Sequence, residues 1–103
     1  MPVRTLIADN SELAIVGLRA VLGNVPRISL VGEARDPIEL QAMLVREKPD
    51  VVLIDHTAKG FGADAIRDGV KRSPRTRFVA ITPDPSRLAL LSALRGGVTS
   101  YIK

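Results

Sequence analysis

The sequence predicts an α/β fold, a parallel five-stranded sheet with helices on both faces, and three observations predict it. Short, almost wholly apolar runs alternate with longer amphipathic stretches along the chain. The apolar runs are continuous rather than alternating, as strands covered on both faces require. Caps, prolines and glycines fall between the two kinds of segment, where βαβ crossovers need them.

Each element follows in order. Val3 to Ala8 is the first strand, nearly all apolar. Glu12 to Leu22 is the first helix, with Leu13, Val16, Leu18, Val21 and Leu22 recurring at helical spacing as its apolar face. Ile28 to Ala34 is the second strand. Pro37 to Lys48 is the second helix: Asp36 suits the cap, Pro37 suits the first turn, and Pro49 stops the run. Asp50 to Ile54 is the third strand and the most apolar. Ala63 to Arg72 is the third helix, and Thr76 to Thr82 the fourth strand. Ser86 to Arg95 forms the fourth helix, closed by Gly96 and Gly97. It is apolar on most sides between Leu88 and Leu94, more than core packing alone uses. Val98 to Ile102 is the fifth strand. Each crossover is expected to be right-handed.

Composition bounds the function. A chain of 103 residues fits one domain, 1–103, and 46% hydrophobic residues suffice for a core built of Val, Ile, Leu and Ala, since aromatics make up only 3%. The absence of cysteine excludes disulfides and thiolate metal sites, and the single histidine argues against a His-rich one. The first apolar run meets Asp9 too soon for a signal peptide, and no segment approaches a membrane span. A cytoplasmic location without membrane partners is the expectation. The net charge is +4, with a modest concentration of cations at Lys59, Arg67, Lys71, Arg72, Arg75 and Arg77. With almost no aromatics to stack on bases, this reads as a solvated basic surface ahead of a nucleic-acid site.

Ligands of open parallel sheets bind beyond the carboxyl ends of the strands. Those ends present Asp9 and Asn10, Asp55, Thr82 and Lys103, whereas the second strand ends in Ala34 and delivers nothing. Two carboxylates and a carboxamide suit Mg²⁺, a lysine and a hydroxyl suit phosphoryl oxygens, and Asp55 suits a carboxylate nucleophile giving an acyl phosphate. Plainer roles compete. Asp9 and Glu12 could be an N-cap with its reciprocal partner. Tyr101 could be a strand residue with its hydroxyl at the rim, and Lys103 a solvated terminal residue. His56 lacks a second His, Cys or Ser to complete a relay. A carboxylate closing the central strand, in contrast, is costly unless it has a partner.

The stretches LIADN, GLRAVL, VGEARD, KPDVVLID, Ile81–Thr82 and LRGGVTSYIK, in this order and spacing, resemble the receiver domain of two-component response regulators, in particular those carrying a LuxR-type (NarL/FixJ) DNA-binding domain. The likeness covers nearly the whole chain. It implies a flavodoxin-like sheet of strand order 2-1-3-4-5, lacking the family's final helix. It also implies a non-enzymatic phosphoacceptor, limited at most to labelling itself from small donors and releasing the group again. Asp55 matches the phosphorylated aspartate, which a sensor histidine kinase would serve. Asp9, Asn10, Asp55 and the Thr57 carbonyl match the Mg²⁺ ligands. Thr82 and Lys103 match the phosphate-sensing hydroxyl and lysine, and Thr82 with Tyr101 the switch that alters the surface of the fourth helix and fifth strand. DNA would be reached only through a C-terminal domain that this chain lacks.

The departures carry expectations of their own. Asn10 replaces an acid, which weakens Mg²⁺ binding. Lys59 stands where the family has proline. Pro83 has no N–H to offer the phosphoryl group. An alternative is therefore a phosphorylation-independent pseudo-receiver, a protein-interaction module. A phosphatase using Asp9 is disfavoured because Ser11 stands where its second acid belongs, and no reading helix supports a stand-alone DNA binder. Without a helix after the fifth strand, an apolar strip is expected to be covered by self-association, plausibly as a homodimer.

Overall fold

The computed structural model describes residues 2–55 and 58–81, and the backbone of 100–102. Five strands form one sheet in the order β2-β1-β3-β4-β5, all parallel: β1 (Val3–Ala8), β2 (Ile28–Ala34), β3 (Val51–Ile54), β4 (Arg77–Ile81) and β5 (Ser100–Ile102). Between them run α1 (Glu12–Leu22), α2 (Pro37–Glu47) and α3 (Ala63–Arg72). The predicted helix Ser86 to Arg95 lies outside the described residues, as do the first two residues of the predicted fifth strand.

Side chains alternate across a strand, so each strand serves both faces. Leu6, Ala8, Val52, Ile54, Phe78 and Ala80 pack beneath α2 and α3 against Leu40, Leu44 and Ile66, all buried. Burying each large side chain contributes roughly 1.5–3 kcal/mol. Gly69 allows α3 its close approach to this face: a Cβ there would lie 2.7 Å from Phe78 Cζ. Thr5 and Ile7, the alternate positions of β1, are buried as well, and α1 turns its fully buried Ile15 inward.

Here the predicted apolar face of α1 needs correction. Leu13, Val16 and Val21 are exposed, Leu13 at 84%. The helix turns Ile15 inward, with Ala14 and Leu18 on the cleft at its side. Spacing alone could not tell which of two overlapping apolar stripes the sheet would take.

Three boundaries also shift, for local reasons. Lys48 is not the last residue of α2 but its cap, in a left-handed conformation with φ 46°. Asp50 does not join β3; its Oδ2 accepts the Arg4 backbone N–H at 2.8 Å, holding the start of β1. Thr76 precedes β4 with its hydroxyl in a buried chain: Thr76 Oγ1 donates to the Pro49 carbonyl at 2.7 Å, so the Ser73 hydroxyl donates to Thr76 at 2.5 Å.

The caps decide the entries of the helices. Asp36 accepts the Glu39 N–H at 2.8 Å with Pro37 in the first turn, as predicted. For α1 the cap is Ser11, whose hydroxyl accepts the Ala14 N–H, and not Asp9.

Candidate functional site at the carboxyl ends of the strands

The first strand brings its terminal residue into register with the third: Ala8 pairs with Ile54. The next residue on each strand is an aspartate, Asp9 and Asp55, so the two carboxylates leave neighbouring strand ends. Backbone hydrogen bonds hold both in place. The Asp55 N–H donates to the Ala8 carbonyl at 3.1 Å, and the Asp9 N–H donates to the Ala34 carbonyl at 3.0 Å. Both residues line one cleft of about 380 Å³, with Ala8, Ser11, Ala14, Leu18, Leu53, Ile54 and Ile81.

Asp9 is the buried member, 4% exposed. Burial pushes its carboxyl above the usual aspartate range. The Ser11 N–H, donating to Oδ1 at 2.9 Å, pulls the other way, and the negative charge of Asp55 adds to the rise. Asp9 is therefore committed to a turn within its own loop rather than to capping α1, and Glu12 faces elsewhere. Both Glu12 oxygens accept from Arg35, at 3.0 and 3.1 Å, which holds the Glu12 carboxyl below its ordinary range.

Asn10 is exposed, and its Nδ2 donates to the Lys59 carbonyl at 3.2 Å. This bond ties the loop after β1 to the loop after β3, and an aspartate could not make it, having no donor. The described residues of the second loop are held by backbone bonds. The Ala58 N–H donates to the Asp55 carbonyl, the Phe61 N–H to the Ala58 carbonyl, and Phe61 is wholly buried. Gly60 between them has φ 90°, a conformation that L side chains rarely adopt, and a Cβ there would meet Pro37 at 3.1 Å.

Of the predicted site residues, the structure brings Asp9 and Asp55 together and places Asn10 beside them. Thr57, Thr82 and Lys103 lie outside the described residues, as does His56. Tyr101 is described in its backbone, paired with Ala80 in β5. Among the described residues no group of three or more His, Cys, Asp or Glu side chains comes together, so the acidic centre is a pair.

Two contributors escaped the sequence reading. Phe61, one of only two phenylalanines, anchors the loop after Asp55; its place between two glycines was the available signal. Arg35, just past β2, joins Glu12 of α1 to Glu33, which also accepts from Arg19 at 2.7 Å. The end of β2 thus delivers an ion network on the outer side of the site, although exposed pairs of this kind stabilise little.

No protein-family model matches the chain. Curated relatives and solved structures do. The DNA-binding transcriptional activator DevR/DosR of Mycobacterium tuberculosis is 32% identical over 97% of this chain and 46% of its own length. The signal receiver domain of the response regulator NarL from the same organism superposes with a TM-score of 0.86, at 25% identity, over 97% of this chain and 82% of that one. The chain resembles response regulators in sequence and a receiver domain in structure. It spans about half the length of the curated transcriptional regulators it matches. A protein-glutamate methylesterase/protein-glutamine glutaminase of Pyrococcus abyssi is 31% identical over 97% of this chain but only 28% of its own length. The matched region is therefore one that a transcription activator and an enzyme have in common. Among the described residues no helix is long and apolar enough to cross a membrane.

Proposed function

We propose that the chain is the phosphoacceptor of a two-component system, taking a phosphoryl group on Asp55 from the phosphohistidine of a sensor kinase. The observation that carries this is the pairing of Asp9 and Asp55 at adjacent strand ends, in one cleft, with Asp9 buried against the charge of its neighbour. Two carboxylates so placed repel, and a structure that keeps them together is suited to a cation between them.

The donor set fits Mg²⁺. Asp9 and Asp55 offer carboxylate oxygens, and Asn10 keeps its carboxamide oxygen because its bond to Lys59 uses the nitrogen. These residues, with the Thr57 carbonyl, would hold the ion, which when bound supplies positive charge beside the transferring phosphoryl oxygens. The Asp55 carboxylate attacks phosphorus as the N–P bond breaks, and the bonding pair stays with the imidazole nitrogen of the kinase. Thr82 and Lys103 would receive the phosphoryl oxygens, and Thr82 with Tyr101 would carry the change to the partner surface of the fourth helix and fifth strand. In the whole protein, output would pass through a DNA-binding domain and a homodimer, in the cytoplasm.

Acetyl phosphate with Mg²⁺ tests the reading. Intact-mass and peptide mass spectrometry should find one added phosphoryl group on Asp55, and none in Asp55→Asn. A folded chain that binds Mg²⁺ but stays unlabelled at Asp55 would count against it.

One observation favours the pseudo-receiver instead. Asn10 lends no charge to the site and is tied to the Lys59 carbonyl as a strut. On that reading Mg²⁺ binding is absent, and contacts to partners do not change with phosphodonor. A saturable Mg²⁺ titration lost in Asp55→Ala separates the two.

A further inference from the structure

The amino ends of the strands carry a second, unrelated feature. Lys48 caps α2, Arg72 ends α3, Arg75 lies in the following turn and Arg77 opens β4. Among the described residues none of these four has an ion-pair partner. The acids nearby are already engaged: Glu47 pairs with Arg4 and Arg46, and Asp50 holds the Arg4 N–H. Between the last turns of α2 and α3 opens a groove of about 560 Å³, and three cations, Lys48, Arg72 and Arg75, line it against one acid, Asp50, with Leu44, Val45, Pro49 and Pro74 as its apolar part.

Cations in a last helical turn answer the helix-end carbonyls, which accounts for Arg72. It does not account for Arg75 and Arg77, which lie outside the helix. Lys48, the cap of α2, also stands at a helix end, but in a left-handed conformation that glycine adopts at lower cost. Val45, more than half exposed, adds an apolar wall beside it.

We propose that this groove docks an acidic protein segment, apolar side chains over Leu44, Val45 and Pro49, carboxylates against Lys48, Arg72 and Arg75. Charge complementarity selects the acidic partner. The apolar lining selects protein over nucleic acid, because a phosphodiester backbone would leave it uncovered and no aromatic lines the groove to stack on a base. The groove lies at the opposite end of the sheet from Asp9 and Asp55, and the proposal does not depend on phosphorylation.

A fluorescein-labelled peptide of mixed Glu and Leu residues, titrated with the full chain and read by fluorescence polarisation, is the test. Saturable binding is expected, weakened about tenfold or more by Arg75→Glu and by replacing the peptide leucines with serine. Arg67→Glu makes the same charge change on α3 outside the groove lining and should change affinity little. Lys48→Gly should bind more weakly while unfolding at a higher urea concentration, an opposition that a damaged fold cannot produce. Failure to saturate, equal losses in Arg67→Glu and Arg75→Glu, or indifference to the leucines would each overturn the proposal. So would a short DNA duplex that displaces the peptide at lower concentration, which would make the surface a nucleic-acid site.

Discussion

Thr76 and Asp9 are both buried polar side chains, one at each end of the same sheet, and their surroundings are opposite. At the amino end, the Thr76 hydroxyl is saturated: it accepts from Ser73 and donates to the Pro49 carbonyl. At the carboxyl end, Asp9 accepts from the backbone of its own turn but is buried and held against Asp55, and its ionised form is disfavoured. A satisfied buried group stabilises a fold, whereas a buried charge beside a like charge opposes it. On the proposed function such opposition is retained for chemistry, so the comparison sets an end whose buried polar group is satisfied against the end proposed to accept the phosphoryl group.

The largest expected effect is all or none. Asp55→Asn should abolish acetyl phosphate labelling with the fold intact, as read by mass spectrometry and circular dichroism; residual labelling would move the acceptor to another residue. Next, Thr76→Val should cost about 2 kcal/mol in urea unfolding, because it leaves the Pro49 carbonyl without its donor. A neutral result would remove the amino end from the comparison.

Asp9→Asn should act in the other direction, stabilising the metal-free chain by about 1 kcal/mol at neutral pH. The sign follows from linkage. The folded-state pKa of Asp9 is raised, so the folded chain holds its proton longer than the unfolded one. Stability from this group is present at acid pH and is lost as pH rises from the ordinary aspartate value through the raised one. Urea midpoints against pH should show that fall in the wild type and a flatter profile in the variant. Added Mg²⁺ should reverse the order, raising the wild-type midpoint and leaving Asp9→Asn unmoved. The smallest effect is at Lys48, where glycine should gain about 0.5 kcal/mol by relieving the left-handed backbone. A loss there would mean that the lysine side chain holds the fold together.

Much of this architecture is legible in the sequence. The continuous apolar runs located the strands, and Asp36 with Pro37 located the entry of α2 to the residue. The order β2-β1-β3-β4-β5 was reached only through the resemblance, since alternation of strands and helices leaves the order open. The cap of α1 stayed open for a physical reason: Asp9 and Ser11 are both good capping residues two positions apart, and only the turn closed by Asp9 on the Ser11 N–H decides between them. Thr76 and Asp50 read as strand residues by position, but each has a polar group with a better partner off the strand.

The sequence by itself determined the alternation of elements and the placing of an aspartate directly after the first and third strands, because apolar runs and their polar ends are local facts of the chain. Whether those aspartates would meet was decided by tertiary structure, through the register that sets Ala8 against Ile54. The same holds for the choice of Ile15 over Leu13 as the buried side of α1, and for Asn10 reaching across to Lys59. Each depends on which segment lies alongside which, and contacts between residues far apart in the chain leave no period or spacing for a sequence to show.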